Sequence, residues 1–233
     1  VPINYEEAAR FCKLAADHGK IEAMFDYGML LIKGNGVPMN KLEASKYFKL
    51  AADKGHLKAI YNYGWMLKEG NGIPVNKEEA AKYFKIGADK GHVDSMNNYG
   101  VMLNKGEGVP MNKAEAAKYY KDAADRGQVD AMNNYGMKLI KGEGITKNAN
   151  EAAKYFKMAA DKGSIKAMIN YAWLLSECDE ITQNLKDAAN YYKMAADKGN
   201  IDSMYKYALL LYEGNWIPAD KKEAANYYKK AAD

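Results

Sequence analysis

The sequence repeats itself every 36 residues along nearly its whole length, as the step from Gly19 to Gly55 shows. One glycine column, an aspartate two residues before it and one tyrosine column all keep this step. The glycines are Gly19, Gly55, Gly91, Gly127, Gly163 and Gly199, and the tyrosines are Tyr27, Tyr63, Tyr99, Tyr135, Tyr171 and Tyr207. A fixed period of this length is typical of solenoids, in which each repeat buries its apolar face only by stacking on its neighbours.

Composition excludes several other classes of protein. The chain has 233 residues, of which 48% are hydrophobic and 27% charged, so disorder and collagen are not expected. Apolar runs such as Met29 to Ile32 stop far short of the roughly 20 residues that span a bilayer. Residues 1–20 also lack the basic-then-apolar order of a signal peptide. We therefore expect no direct membrane insertion.

The charge balance does not favour a nucleic-acid partner. The net charge of +4 comes from 34 basic and 30 acidic residues, but the arginines are only Arg10 and Arg126. Arginine supplies the forked donors that phosphate recognition favours. From the sequence we also expect no basic stripe of the kind that nucleic acid or a membrane surface requires.

No catalytic, metal-binding or cofactor-binding constellation is present in the sequence. Cys12 and Cys178 are too few for a disulfide scaffold or a thiolate zinc site. His18, His56 and His92 stand near turns, and no His-Glu-x-x-His, nucleophile elbow or phosphate loop accompanies them. The sequence therefore predicts a protein that is not an enzyme and that needs no cofactor.

Each repeat contains two helix signatures. The second helix is introduced by a capping box, for example Asn40 with Glu43, in which we expect the cap side chain to accept the N3 amide and the acid to bind the cap backbone amide. Apolar residues at helical spacing follow, and the helix ends at Gly55. The first helix, for example Lys58 to Glu69, is closed by Gly70 to Gly72 and a proline.

The repeats therefore predict thirteen helices and no strands. First helices are predicted to start near residues 22, 58, 94, 130, 166 and 202, and second helices near 4, 40, 76, 112, 148, 184 and 220. The predicted fold is all-α, a right-handed α/α superhelical solenoid of antiparallel helix pairs in a single domain of residues 1–233. A second helix occupies 1–19, and repeats follow at 20–55, 56–91, 92–127, 128–163, 164–199 and 200–233. We expect the chain to be a segment of a longer array or a domain without its terminal caps.

The repeat that runs from Ala59 to Gly91 resembles a Sel1-like repeat. The resemblance rests on Tyr63-Gly64 in the first helix, the Gly70-Asn71-Gly72 link, Glu79-Ala80-Ala81-Lys82-Tyr83-Phe84 and the closing Ala88-Asp89-Lys90-Gly91. A tetratricopeptide reading fits less well because that period is 34. The resemblance implies an adaptor that gathers proteins into complexes. Cys12 and Cys178 lie several repeats apart, unlike the one disulfide per repeat of a cysteine-rich secreted subgroup.

Positions that are constant between repeats predict the framework, and positions that vary predict the working surface. Ala23, Tyr27, Gly28 and Leu31 recur with little change and form one stripe of the first helix. The opposite face varies, and the resemblance implies that first helices line the concave surface. The charges on this face nearly cancel, so a strongly acidic or basic partner is not expected there.

One varying column is rich in amides. It consists of Asp26, Asn62, Asn98, Asn134, Asn170 and Lys206. Asparagine offers both a donor and an acceptor, so such a row can pair with the backbone of an extended peptide. The alternative is a hydrogen bond from each amide to the neighbouring helix.

Large aromatic side chains accompany the amide column. They are Phe25, Tyr61, Trp65, Trp173, Tyr205 and Tyr212. Aromatics in a groove supply contact area at small entropic loss. The alternative is that Trp65 and Trp173 fill gaps between adjacent repeats.

Two hypotheses for function follow. In the first, the chain is a scaffold whose concave face binds a peptide segment or a partner protein. In the second, it is a structural spacer that associates end to end through its terminal helices, with Tyr5, Phe11, Tyr227 and Tyr228 at the seams.

Overall fold

A computed structural model describes the chain from residue 4 to residue 232. Within this range there are thirteen α-helices and no strand. First helices are α2 (Ile21–Lys33), α4 (Leu57–Glu69), α6 (Val93–Lys105), α8 (Val129–Lys141), α10 (Ile165–Glu177) and α12 (Ile201–Glu213). Second helices are α1 (Tyr5–Asp17), α3 (Lys41–Asp53), α5 (Lys77–Asp89), α7 (Lys113–Asp125), α9 (Ala149–Asp161), α11 (Leu185–Asp197) and α13 (Lys221–Ala232). Every start lies one residue from the predicted one.

The helices group into two compact bodies, an N-terminal body of Val1–Tyr119 and a C-terminal body of Tyr120–Asp233. Within each body, a helix packs against the helices that precede and follow it in the chain. Each body is therefore a helical solenoid, as the period predicts. In the part of the chain that the structure describes, no helix is long and apolar enough to cross a membrane.

The second-helix caps confirm one half of the predicted capping box and correct the other. Asn40 Oδ1 accepts a hydrogen bond from the Glu43 backbone N–H at 3.0 Å, as predicted. The Glu43 carboxylate, however, accepts from the Asn40 side-chain Nδ2 at 3.4 Å. The Asn40 backbone N–H donates to the Leu31 carbonyl at 3.0 Å. The last turn of a first helix has carbonyls without helical partners, and the returning chain places the cap amide against one of them.

The same cap bond closes other helix pairs. The donors are Asn76, Asn112, Asn148, Asn184 and Asp220, and the acceptors are Leu67, Leu103, Leu139, Leu175 and Leu211. Each acceptor is a leucine that recurs in every repeat. The constant leucine thus contributes its backbone as well as its buried side chain.

The links between first and second helices depend on glycine. Gly70 has a φ of 71° and its N–H donates to Met66 O at 2.9 Å, which ends α4. Gly72 has a φ of +85°, and a Cβ there would lie 2.4 Å from Lys41 Cβ at the start of α3. The fifth link lacks both glycines, and Cys178 ends α10 in an extended conformation with a φ of −92°.

The constant residues of the first helix lie in the core, as predicted. Tyr27 and Leu31 are 5% and 2% exposed. The Tyr27 ring meets Tyr47 edge to face at 4.8 Å, and Gly28 packs so closely on Phe48 that a Cβ would lie 2.6 Å from the ring. A second buried column, which the sequence analysis missed, consists of Met24, Ile60, Met96, Met132 and Met168.

Consecutive second helices are joined by a polar contact. The Tyr47 hydroxyl of α3 donates to Asp17 of α1 at 2.7 Å. Lys13 Nζ pairs with the other oxygen of Asp17 at 2.6 Å. The Lys13 ammonium and the Tyr47 hydroxyl hold the pKa of Asp17 below its usual range, and the carboxylate stays charged at neutral pH.

Candidate functional site

The variable faces of the first helices form the candidate site, and we call them the first-helix face. In the N-terminal body this face carries Asp26, Asn62 and Asn98 together with Phe25, Tyr61 and Trp65. In the C-terminal body it carries Asn134, Asn170, Lys206, Trp173, Tyr205 and Tyr212.

The amides of the N-terminal body are partly engaged inside the protein. Asn62 Nδ2 lies 3.8 Å from Met29 Sδ on the preceding first helix. Asn98 Nδ2 donates at 2.9 Å to the Asp94 carbonyl, one turn earlier in its own helix. Both side chains are half-buried, whereas Asp26 is exposed. Each of these contacts uses one amide N–H, so an asparagine retains bonding capacity for a ligand.

The C-terminal body shows the neighbouring-helix contact more strongly. Asn170 Nδ2 donates to Asn133 Oδ1 on the preceding first helix at 2.7 Å. Lys206 Nζ donates to Glu177 Oε1 at 2.8 Å and lies 4.9 Å from the centre of the Tyr192 ring. Asn134 is also engaged within the structure. The described contacts in this column therefore lie within the protein.

The predicted aromatic residues divide into two groups. Phe25 stacks on His56 at 4.6 Å, and Tyr61 lies 5.3 Å from His92, so both fill gaps between repeats. The more exposed aromatics are Trp65 at 40%, Trp173 at 37%, Tyr205 at 58% and Tyr212 at 55%. These four side chains leave a large part of their apolar surface exposed.

His56 and His92 are helix caps, a role that the sequence analysis did not assign. His56 Nδ1 accepts from the Ala59 N–H at 3.1 Å, and His92 Nδ1 accepts from the Ser95 N–H at 3.2 Å. An imidazole nitrogen accepts only when it carries no proton. Burial lowers the pKa of His92, which favours the neutral ring that the cap needs. In other repeats the same position, directly before a first helix, holds the side-chain caps Gln128, Ser164 and Asn200. Serine and asparagine are common cap residues, so the last two could have been recognised from the sequence.

A shallow cavity of about 480 Å³ opens on the first-helix face between α2 and α4. Phe25 and His56 line it together with Glu22, Asp26 and Lys58. Glu22 Oε2 lies 3.0 Å from His56 Nε2. The cavity therefore combines a stacked aromatic pair with acidic and basic groups at its rim.

The exposed side of the second helices carries basic residues that the overall charge balance did not reveal. Exposed basic residues occur at one register position of successive second helices, namely Arg10, Lys46 and Lys82 in the N-terminal body. The column was hidden in the sequence because the net charge is small and acidic residues are nearly as frequent as basic ones. Many of those acids serve caps or pair with other lysines, as Asp53 does with Lys49 at 2.8 Å.

The proposed seam residues do not share one environment. Tyr5 and Phe11 of α1 are 57% and 54% exposed. Tyr227 is only 5% exposed, because its ring packs edge to face on Tyr207, so its placement at an exposed seam is wrong. Tyr228 is half-buried against Tyr205. Trp216, in the sixth link, packs on the core cluster of the C-terminal body.

Both cysteines are free thiols, and Cys178 is buried. The Cys12 thiol donates to the Ala23 carbonyl at 3.5 Å, and burial followed by the nearby Asp26 raises its pKa. Among residues 4–232, no three histidine, cysteine or acidic side chains cluster as metal ligands would.

The fold and this surface define the class of the protein, a helical-repeat solenoid without strands in its described part. More narrowly, the chain belongs to the Sel1 repeat family, whose repeat matches residues 1–20, 21–56, 57–92, 93–128, 129–164, 165–200 and 201–233. Sel1-like and tetratricopeptide-like repeat proteins generally mediate protein–protein interactions, and the fold is typically a non-catalytic scaffold.

Two solved structures of this family are similar to the chain. The c5321 protective antigen of uropathogenic Escherichia coli is 27% identical with a TM-score of 0.92, over 98% of this chain and 49% of the antigen. The chain thus spans about half the length of that antigen. A Sel1 repeat protein from Oxalobacter formigenes is 28% identical with a TM-score of 0.85, over 97% of this chain and 91% of that one.

More distant structures share the fold alone. The immunity protein Pa5087 from Pseudomonas aeruginosa is 17% identical with a TM-score of 0.53, over 92% of this chain and 81% of its own. No curated protein matches the sequence.

Proposed function

We propose that the chain is a non-enzymatic scaffold that binds a peptide segment of a partner protein on the first-helix face. The observation that carries this proposal is the pairing of Trp65 with Asn62 on α4. Trp65 is 40% exposed, and Asn62 lies three residues before it on the same side of the helix. An exposed indole beside an amide gives both contact area and a directional hydrogen bond.

The same combination recurs in the C-terminal body. Trp173 follows Asn170 at the same spacing on α10, and Tyr205 stands beside Lys206 on α12. The amides bond mostly within the protein, so the aromatic rings supply most of the binding surface and each amide adds one bond. This arrangement favours a segment with apolar side chains and little charge, because the varying face itself is nearly neutral.

To test this function, peptides that bind the immobilised chain are selected from a random library. Their affinities are then measured for the chain and for the double variant Asn62→Ala, Trp65→Ala. Loss of an anchoring tryptophan commonly costs about 2 kcal/mol, so we expect the dissociation constant to rise by roughly tenfold or more.

The matched control is Lys186→Ala with Asn190→Ala, which changes two exposed residues of the second helix α11. This control should leave the selected peptides bound as before. If instead the control abolishes binding and the α4 variant does not, the first-helix face is the wrong surface. Selection of no binding peptide, together with oligomers that grow with concentration in analytical ultracentrifugation, would favour the end-to-end spacer.

A further inference from the structure

The exposed side of the second helices in the N-terminal body carries three parallel columns of side chains. The middle column is apolar and consists of Leu14, Leu50 and Ile86, which are 53%, 48% and 43% exposed. Four residues earlier in each helix stand Arg10, Lys46 and Lys82, and four residues later stand His18, Lys54 and Lys90, all of them exposed. Residues four apart lie on one side of a helix. We call this surface the second-helix face.

A groove of about 570 Å³ opens on this face between α1 and α3. Its apolar part is lined by Leu42, Leu50 and Met24, and Lys46 also lines the groove. Leu42 is 55% exposed. The groove therefore presents aliphatic surface next to an ammonium group.

The carboxylates at the edge of the groove already have hydrogen-bond partners within the protein. Asp17 accepts from the Tyr47 hydroxyl and pairs with Lys13. Glu43 accepts from the Asn40 side chain. By contrast, the described part of the chain contains no ion pair of Lys46 or Lys82. The three columns themselves contain no acidic residue, so the charge that they offer to a ligand is positive.

A ligand that complements this face carries carboxylates around aliphatic side chains. A flat bilayer surface fits less well, because Leu42 and Met24 line a groove, which accepts single side chains. Nucleic acid also fits less well, since leucines stand where aromatic rings would stack on bases. Charge complementarity therefore favours an acidic protein segment.

The C-terminal body contains a related groove of about 460 Å³, three repeats later in the sequence. Lys154 and Met158 stand there at the positions of Lys46 and Leu50. Asn150 replaces Leu42, so this groove is less apolar.

We propose that the second-helix face of the N-terminal body binds an acidic, leucine-bearing segment of a partner protein in the groove between α1 and α3. This surface differs from the first-helix face, and a partner can occupy it independently. It also accounts for leucines that would otherwise be exposed to water without a structural role.

A synthetic amphipathic peptide of Glu, Leu and Ala tests the proposal against the whole chain. We expect it to bind, and we expect a peptide with Lys in place of each Glu not to bind. The variant Lys46→Glu, Lys82→Glu should weaken binding by about tenfold or more, and Leu50→Ser should weaken it severalfold. Added salt should weaken binding to the unmodified chain.

The charge-matched control is Lys20→Glu with Lys105→Glu, two exposed lysines at the ends of first helices. It should bind the acidic peptide within about twofold of the unmodified chain, and circular dichroism should show every variant folded. The proposal would be overturned if the acidic and the lysine peptides bound equally well. It would also be overturned if the variant Lys46→Glu, Lys82→Glu bound the acidic peptide as tightly as the unmodified chain does. Binding to phosphatidylserine vesicles without binding to the acidic peptide would also overturn it and identify a membrane surface.

Discussion

The hydroxyl of Tyr47 donates to the carboxylate of Asp17 across thirty residues of sequence, at 2.7 Å. The same bond joins Tyr83 to Asp53 at 2.9 Å and Tyr191 to Asp161 at 3.3 Å. In these three cases it ties a second helix to the second helix before it. In each case the tyrosine ring also packs edge to face on a first-helix tyrosine, so one side chain joins three helices.

Replacing Tyr47 by phenylalanine should remove this bond and keep the ring packing. We expect the free energy of unfolding to fall by about 1 kcal/mol, the usual net value of such a bond. Urea unfolding followed by circular dichroism measures the change. Tyr205→Phe is the control, because Tyr205 is 58% exposed, and it should change stability by less than about 0.5 kcal/mol. Equal losses in the two variants would contradict a specific role for the Tyr47 hydroxyl.

His92 should make stability depend on pH below neutrality. Its folded pKa lies below 6.5, because burial disfavours the charged ring, although Asp94 acts in the opposite direction. As pH falls through 6.5, the unfolded chain binds the proton first, so the free energy of unfolding falls with pH down to the folded pKa. The slope from this one group cannot exceed about 1.4 kcal/mol per pH unit.

His92→Asn isolates the contribution of this histidine. Asparagine already caps α12, where Asn200 accepts from the Ser203 N–H at 2.8 Å, so the variant keeps a cap and loses the titration. Its unfolding free energy should depend less steeply on pH than that of the unmodified chain. Identical pH profiles for the two proteins would contradict a difference in the pKa of His92 between the folded and the unfolded chain.

Gly28→Ala should destabilise the protein although alanine is the better helix former. The new Cβ would lie 2.6 Å from the Phe48 ring, which is buried in the core at 1% exposure. We expect a net loss of about 1–3 kcal/mol. Gly64→Ala is the matched comparison, since its Cβ would lie 3.1 Å from Phe84. There the strain and the gain of about 1 kcal/mol in helix propensity should nearly cancel. A larger loss for Gly64→Ala in urea unfolding would refute this ranking.

Gly72→Ala should cost more than Gly19→Ala, although both glycines have a similar positive φ. At Gly19, with a φ of +87°, a Cβ would meet nothing within 4 Å, so only the backbone conformation costs energy, about 1–2 kcal/mol. At Gly72 the Cβ would also lie 2.9 Å from the backbone carbon of Lys41. Thermal unfolding of both variants measures the difference, and equal melting temperatures would contradict a role for this close approach.

Local and periodic features were predictable from the sequence. The helix bounds, the Asn40 cap and the Tyr27 stripe all depend on residues within one repeat, and six copies separate such signals from chance. The direction of the Glu43 carboxylate was not predictable, because it depends on where the returning chain places the cap amide.

The contacts of the candidate site were predictable only in part. The positions of Asn62 and Asn170 followed from the period, but their partners, Met29 and Asn133, belong to the preceding repeat and to different columns. The caps at His56 and His92 were missed because the residue type at that position changes from repeat to repeat. The basic column at Lys46 was missed because formal charge does not tell which acids are already paired.

The backbone bond from each second-helix cap to a constant leucine has a consequence for how such a chain changes length. The bond from Asn76 to Leu67, at 2.8 Å, closes a helical hairpin on itself, while the tyrosine–aspartate bond joins one hairpin to the next. Insertion or deletion of a whole 36-residue segment therefore leaves every remaining hairpin with an equivalent donor and acceptor on both sides. Gene segments that encode one whole repeat can therefore be duplicated or lost without new contacts between helices having to evolve.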